Sequence, residues 1–285
     1  MPALVTPFDD GGEIDLEAHR HNVRHLRDDG IDGFLIGGST GEGPYLEPRE
    51  RARLLEVARD EGPDAFLLCG INGESVRQAM GLIREAADSG TDGVLVITPT
   101  TLVRGNDAAV EAFYLAVGEA SPLPVFLYTV PRVTGYELPV EVVRRLSVHR
   151  NIVGMKDSGG KSERIASLEG TVGKPFDMFV GASRGVATGV ADGAHGAITA
   201  SANYAWPILK RLLAGSADEA QPYQQRLVAL IESIEPLGLV ATKAAATMVG
   251  LQALSPRLPL RSLRPSQLGA VKAALSDAGL LPVDV

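Results

Sequence analysis

The stretch DSGTDGVLVIT, residues 88–98, contains a complete joint between a helix and a strand. Gly90 suits the position just beyond a helix end, and the run of successive apolar residues after Gly93 predicts a strand that is buried on both faces. The same order of features recurs in DDGIDGFLIGG (28–38) and ADGAHGAITA (191–200). Three copies of one joint predict a fold in which a single βα unit is repeated.

Strand-like and helix-like segments alternate along the first 215 residues. The apolar runs lie at 2–8, 33–38, 66–71, 93–99, 124–131, 152–156, 176–183 and 196–201. The helical patterns lie at 15–29, 47–61, 75–89, 106–120, 138–148, 161–171, 184–192 and 203–214. Strands that are apolar on successive residues are buried on both faces, as in parallel sheets covered by helices. Eight such βα units predict an α/β protein with a (β/α)8 TIM barrel.

The pattern changes after residue 215, where strands give way to helices near 217–234, 236–250 and 265–279. We therefore expect a barrel catalytic domain over residues 1–215 and a C-terminal helical extension over residues 216–285. A doubly wound sheet is the alternative to the barrel. Its first βα turn should carry G-x-G-x-x-G, which is absent from this sequence.

Composition narrows the class of protein. A net charge of −8 argues against nucleic acid as a partner, because phosphate neutralisation needs clustered basic residues. Cys69 is the only cysteine, so the sequence offers neither an intrachain disulfide nor a cysteine metal site, and we expect a buried, inert thiol. We expect no metal from the histidines, no membrane partner because no apolar run is long enough to span a bilayer, and a cytoplasmic enzyme.

Lys156 ends the apolar run IVGMK. In a TIM barrel the active site lies at the carboxyl ends of the strands, so this lysine would project into the barrel mouth. Burial disfavours the ammonium and makes the neutral amine a nucleophile. The alternatives are a lysine that emerges into solvent and one that pairs with Asp157.

Two further strand ends carry candidate site residues. GGSTGEG (37–43) combines glycines with the hydroxyls of Ser39 and Thr40, and its backbone N–H groups could cradle a carboxylate or phosphate. The alternative is a tight turn that caps the next helix, with Glu42 organising the loop. Tyr128 ends another strand and is either a general acid or base beside the lysine, or a core tyrosine.

These pieces together resemble the N-acetylneuraminate lyase/dihydrodipicolinate synthase family of pyruvate-dependent class I aldolases. The motifs that carry the resemblance are LVTPF (4–8), GSTGE (38–42), the Y-x-V-P-x-x-T-G element at 128–135 and NIVGMKDS (151–158). Their order and spacing are specific, and the resemblance extends from the start of the chain to about residue 215. Within the family, YTVPRVTGYELP and NIVGMKDSGG look most similar to the 4-hydroxy-2-oxoglutarate aldolase branch.

The resemblance implies a catalytic role for Lys156, Tyr128 and Thr40. Lys156 would form the Schiff base with the 2-oxo acid, and Tyr128 would shuttle protons at the imine carbon. The resemblance implies that Ser39 and Thr40 hold the substrate carboxylate. No metal or dissociable cofactor is implied, since the iminium itself serves as the electron sink.

The resemblance also implies residues that line the pocket. Gly181 and Ile198 would lie near the lysine. Arg132 and Arg184, with Arg104, are candidates to bind a second anionic group of the substrate, or they are surface arginines.

Three departures from the family pattern bear on the substrate. Val133 stands where the synthases carry an arginine for the second carboxylate, which argues against synthase activity. Thr101 stands where a tyrosine usually completes a proton relay with the adjacent subunit. Arg184 occupies a position that is acidic in the sialic-acid lyases, which argues against sialic acid.

We expect a Schiff-base-forming lyase that cleaves a 4-hydroxy-2-oxo acid to pyruvate or a similar 2-oxo acid. Two alternatives use the same lysine chemistry, namely a dehydratase or aldolase acting on 2-oxo-3-deoxy sugar acids and a dihydrodipicolinate synthase. A sensor that binds 2-oxo acids without turnover is the alternative outside enzymes. The resemblance also implies a homo-oligomer, either a dimer or a tetramer.

Overall fold

The computed structural model describes residues 1–161, 163–168 and 176–281, and within them a parallel sheet follows the chain order. Each strand pairs in parallel with the next one along the chain. The strands are β1 (Gly33–Ile36), β2 (Phe66–Ile71), β3 (Gly93–Ile97), β4 (Val125–Thr129), β5 (Ile152–Asp157), β6 (Asp177–Val180) and β7 (Gly196–Ala197).

The N-terminal residues close this sheet into a barrel. Pro2 bridges to Thr199 beyond β7, and Ala3 bridges to Leu35 of β1, both in parallel. The expected strand over residues 2–8 is therefore wrong in its extent, since only these two residues bridge the barrel strands. The N–H of Val5 donates to the side chain of Asn203 at 3.1 Å instead of to a strand, and Pro7 has no N–H for sheet pairing, so the chain leaves the sheet. The TIM barrel itself is confirmed.

Helices cover the outside of the barrel and continue into the tail. They are α1 (Leu16–Asp28), α2 (Glu50–Glu61), α3 (Val76–Asp88), α4 (Asp107–Ala120), α5 (Pro131–Thr134), α6 (Val140–Ser147), α7 (Glu163–Leu168), α8 (Val186–Ala191), α9 (Trp206–Ala214), α10 (Ala217–Ile234), α11 (Leu239–Met248) and α12 (Pro265–Asp277). Of the helix expected over 161–171, residues 162 and 169–171 lie outside the described residues. In the described parts of the chain, no helix has both the length and the apolar character needed to cross a membrane.

Strand alternation divides the core into two layers. Inside the barrel, side chains from several strands meet, including Leu68, Phe126 and Tyr128. Between the sheet and the helices lies the larger layer, to which Leu67 and Cys69 contribute. Cys69 is fully buried there, and this burial raises the pKa of its thiol to about 12, which fits the expected inert core cysteine.

The C-terminal helices pack against the barrel rather than projecting from it. After α11, the side-chain amide of Asn22 in α1 donates to the carbonyl of Gln252 at 3.0 Å and accepts from its N–H at 2.6 Å. Asn22 is completely buried, and its two hydrogen bonds tie α1 to the segment that follows α11. The domain boundary after residue 215 stays a prediction.

Glycines allow the loop after β1 to lie directly on β2. A Cβ atom added at Gly70 would lie 2.5 Å from the carbonyl oxygen of Gly37, and one at Gly43 would lie 2.0 Å from the same atom. Gly37 itself has a φ of +64°, a conformation that residues with a Cβ rarely adopt. Close packing at this point therefore sets the path of GGSTGEG.

Gly70→Ala should lower the free energy of unfolding by about 1–3 kcal/mol, because the added methyl group overlaps rigid backbone. Gly81→Ala is the matched control, since Gly81 is exposed within α3 and a Cβ there meets nothing within 4 Å. That control should raise the free energy of unfolding by about 0.5–1 kcal/mol. Urea unfolding of both variants measures the difference, and equal stabilities would contradict the packing argument.

Candidate active site at the carboxyl ends of the strands

Lys156 and Tyr128 meet inside the mouth of the barrel. They are register partners on β5 and β4. The Nζ atom of Lys156 lies 4.6 Å from the centroid of the Tyr128 ring, and the two residues are only 4% and 6% exposed. An ammonium over the face of an aromatic ring is attracted to it electrostatically. The pairing expected from the two strand ends is therefore present.

Lys156 does not pair with its neighbour Asp157. Asp157 points to the other side of the sheet, where its carboxylate accepts from Arg164 Nε at 2.7 Å and from the N–H of Gly159 at 2.7 Å. Among residues 1–161, 163–168 and 176–281, no hydrogen bond or ion pair engages the Nζ atom of Lys156. Strand alternation thus separates the two charges and leaves the lysine nitrogen available.

The GGSTGEG loop presents unused hydrogen-bond donors. Its ends are fixed by hydrogen bonds from Gly43 N to Gly38 O at 3.0 Å and from Glu42 N to Ser39 O at 3.2 Å. In the described parts of the chain, the backbone N–H groups and hydroxyls of Ser39 and Thr40 have no hydrogen-bond partner. Both residues are half-buried. Fixed, unpaired N–H groups of this kind form a cradle for an anion.

Glu42 organises this loop from below. It adopts a left-handed conformation with a φ of 54°. Its carboxylate accepts from Lys243 Nζ at 2.8 Å and from the N–H of Arg257 at 2.9 Å. Burial lowers the pKa of Lys243, while the Glu42 charge acts in the opposite direction. The interpretation of Glu42 as a loop organiser agrees with these contacts.

Lys243 and Arg257 were not predicted from the sequence. Both lie in the C-terminal tail, far along the chain from the loop that they hold. One signal was available, because Lys243 is the only charged residue in the helix LVATKAAATM, residues 239–248. A charge within such an apolar helix indicates a buried partner.

A cavity of about 250 Å³ opens beside these groups. Ser39 and Tyr128 both lie on its wall, so the loop and the tyrosine face the same space. The remaining wall is largely apolar and includes residues from the tail helix and loop. It consists of Gly37, Gly38, Glu42, Pro44, Tyr45, Gly70, Ile71, Asn72, Leu95, Ile97, Val133, Leu239 and Leu260.

Two other expected pocket residues lie close to the lysine or the tyrosine. A Cβ atom added at Gly181 would lie 3.0 Å from Cε of Lys156, so a glycine leaves room for the lysine side chain. Ile198 is fully buried in the same inner cluster as Tyr128. The structure thus brings both residues to the inner side of the barrel.

The expected anion-binding arginines lie outside the cavity wall. Arg132 is exposed, and it is the adjacent Val133 that lines the cavity. Arg184 is also exposed, and it forms an ion pair with Glu232 at 2.9 Å. Arg104 lies against Gly135, where an added Cβ would be 3.2 Å from its guanidinium.

Thr101 lies in an exposed loop after β3. Its N–H and that of Thr100 donate to the carboxylate of Glu74 at 2.8 and 3.0 Å. The adjacent Leu102 is 94% exposed and forms the tip of this loop. Thr101 is not part of the cavity wall.

The fold and this arrangement define an α/β-barrel enzyme with a buried lysine and tyrosine at the carboxyl ends of its strands. The chain belongs to the dihydrodipicolinate synthetase family, whose family model matches residues 1–278. The resemblance found in the sequence is therefore confirmed. So is the enzyme class, a lyase of this family.

Relatives of similar length support this placement. A 4-hydroxy-tetrahydrodipicolinate synthase from Oceanobacillus iheyensis is 31% identical over 97% of this chain and 96% of its own. The enzyme of that name from Synechococcus sp. is 33% identical, over 97% of this chain and 92% of its own.

Solved structures agree with the barrel throughout its length. The dihydrodipicolinate synthase of Cyanidioschyzon merolae with lysine bound has a TM-score of 0.91 at 26% identity, covering 98% of this chain and 97% of its own. YagE, a prophage protein of the same family from E. coli K12 in complex with pyruvate, has the same score, identity and coverage.

Ser39→Ala and Thr40→Val should each weaken pyruvate binding, Thr40→Val by roughly 1–3 kcal/mol, because the carboxylate, a charged acceptor, loses the hydrogen bond that the hydroxyl donates to it. Isothermal titration calorimetry with pyruvate measures the change. Unchanged affinity in both variants would show that the loop is only a turn.

Proposed function

We propose that this protein is a lyase that cleaves 4-hydroxy-2-oxo acids through a Schiff base on Lys156. The observation that carries the proposal is the buried Lys156 amine, which lies over the Tyr128 ring with no ion-pair partner among the described residues. Family membership supports the chemistry. The substrate class and the roles of the residues are the proposed part.

The reaction begins with attack of the Lys156 amine on the 2-oxo carbon, which gives a carbinolamine. Uptake of one proton then lets the carbinolamine oxygen leave as water and gives an iminium. A base removes the proton of the C4 hydroxyl, and the C3–C4 bond breaks as C4 becomes an aldehyde or oxo acid. The bonding electrons pass into the iminium to give an enamine. Protonation at C3 and hydrolysis of the imine then release pyruvate and restore the amine.

Tyr128 is the proposed proton carrier for these steps. Its ring contacts the lysine, and its side chain lines the cavity. The Thr98 hydroxyl donates to the Tyr128 carbonyl at 3.1 Å, which steadies the end of β4. Thr101 replaces the usual relay tyrosine and lies outside the cavity wall, which supports a role for Tyr128 without a tyrosine from a neighbouring subunit.

Ser39 and Thr40 are the proposed binding site for the 2-oxo acid's carboxylate. Their unpaired N–H groups and hydroxyls support this role, since an anion satisfies donors that are otherwise unpaired. Gly181 and Ile198 are proposed to shape the pocket around the reacting carbons. Arg132 and Arg184 stay candidates for a second anion at the outer edge.

A dihydrodipicolinate synthase is the second candidate, because the relatives described above carry that name. Its second substrate, aspartate semialdehyde, brings another carboxylate. Val133 lies on the cavity wall where the synthases carry arginine, so this carboxylate lacks a charge-assisted partner there. We therefore favour the lyase.

A homo-oligomer, dimer or tetramer, and a cytoplasmic location are further proposals. Exposed apolar residues support association, because a side chain such as Leu102, 94% exposed, is better accommodated against another surface.

Lys156 should become covalently labelled when the protein is incubated with pyruvate and borohydride, which reduces the imine to a stable adduct. Mass spectrometry of the wild-type protein and Lys156→Ala measures this. A wild-type protein without adduct, or equal labelling of Lys156→Ala, would refute the Schiff base.

Tyr128→Phe should still form the imine but lose roughly 10²–10⁴ in turnover, the usual contribution of a positioned acid–base group.

Product analysis on a panel of 4-hydroxy-2-oxo acids, 2-oxo-3-deoxy sugar acids, and pyruvate with aspartate semialdehyde separates the candidate reactions. We expect retro-aldol products to dominate and synthase activity to be low. A wild-type kcat/KM that is highest for the synthase reaction would contradict the proposal, and binding without any product would indicate a sensor.

Val133→Arg should raise kcat/KM for aspartate semialdehyde, because a charge-assisted hydrogen bond typically contributes about 1.5–3 kcal/mol.

A further inference from the structure

The ammonium group of Lys243 lies beneath the active-site loop, and each of its N–H donors is hydrogen-bonded. Its side chain is 2% exposed, and that of Glu42 is fully buried. The three protons of an ammonium match its three acceptors, namely Glu42 Oε1 at 2.8 Å, Thr6 O at 2.7 Å and Ser255 O at 2.7 Å. With every proton used, this amine is not a second nucleophile.

These three acceptors belong to parts of the chain that are distant in sequence. Thr6 lies in the N-terminal segment that closes the barrel, Glu42 in the loop after β1, and Ser255 in the tail beyond α11. Lys243 and Glu42 are 201 residues apart. One side chain therefore ties three segments to a single point.

Further hydrogen bonds connect Thr6 and Glu42 to the loop positions around the unpaired donors of Ser39 and Thr40. The Thr6 hydroxyl donates to Gly41 O at 2.6 Å, and Glu42 N donates to Ser39 O. Thr40 lies between these two anchored positions. The orientation of the N–H groups of Ser39 and Thr40 consequently depends on where Thr6 and Glu42 are held.

We propose that Lys243 is a positioning residue that holds the Ser39–Thr40 cradle in the geometry that binds a 2-oxo acid's carboxylate. The inference rests on the proposed function for the identity of the anion. It gives the tail a part in substrate binding, although among tail residues 216–281 only Leu239 and Leu260 lie on the cavity wall. Lys243 acts through Glu42 and Thr6 and does not touch the substrate.

A buried ion pair contributes little net stability, because desolvation offsets much of the attraction between the charges. Stability and positioning must therefore be measured separately. Removing only Lys243 leaves an unpaired buried carboxylate and destabilises the protein. Removing both charges avoids that penalty but still loses the ties to Thr6 and Ser255.

The experiment compares Lys243→Met, the double variant Glu42→Gln/Lys243→Met and Asn22→Ala with the wild-type protein. Asn22→Ala is the matched control, since it removes a tie between α1 and the same tail that involves no residue of the GGSTGEG loop. Calorimetry gives the Kd for pyruvate, borohydride trapping at saturating pyruvate gives the rate of imine formation, and thermal unfolding gives Tm.

We expect both Lys243 variants to raise the pyruvate Kd by about tenfold or more, the scale of one lost charge-assisted contact, with trapping rates at saturation within a few-fold of wild type. Asn22→Ala should lower Tm and leave the Kd unchanged. The double variant keeps the test valid if Lys243→Met fails to fold.

A double variant that folds and binds pyruvate as tightly as wild type would overturn the proposal. So would a Kd that rises equally in Asn22→Ala, because any loosening of the tail would then be sufficient. A wild-type protein that binds pyruvate without forming an adduct, while the Lys243 variants bind it weakly, would refute the Schiff base and support the positioning role.

Discussion

Closure of the parallel barrel is the constraint on which the site depends. Because neighbouring strands run in the same direction and pair in order, their carboxyl ends meet on one rim. The pairing of β4 with β5 sets Tyr128 opposite Lys156, and the bridges made by Pro2 and Ala3 bring the N-terminal segment beside β1. The loop after β1 and the lysine on β5 consequently lie at the same rim.

Strand alternation then sorts the charges. Lys156 and Asp157 are adjacent in the chain, yet one faces the barrel interior and the other meets Arg164 behind the sheet. This separation keeps a carboxylate away from the amine that the proposed chemistry requires. The same alternation leaves Cys69 in the outer layer, where its buried thiol has no access to the cavity.

The tail completes the rim through polar contacts. Lys243 and Arg257 engage Glu42, and Arg257 also forms an ion pair with Glu50 at 2.6 Å. Such buried charges contribute little net stability, since their desolvation is costly. They do demand one geometry, because each donor must meet its acceptor. In this protein the requirement acts on the loop that carries the unpaired N–H groups of Ser39 and Thr40.

The sequence by itself determined the repeated βα units, the barrel, and the placement of Lys156, Tyr128 and Ser39 near one another. These features follow from local periodicity and from the rule that strand ends share a rim. Only the tertiary structure decided that Pro2 and Ala3 alone, out of residues 2–8, bridge the barrel strands. It also decided that Val133 rather than Arg132 lines the cavity and that Lys243 holds Glu42. Each of these depends on contacts between residues distant in the chain, and such contacts leave no period in the sequence.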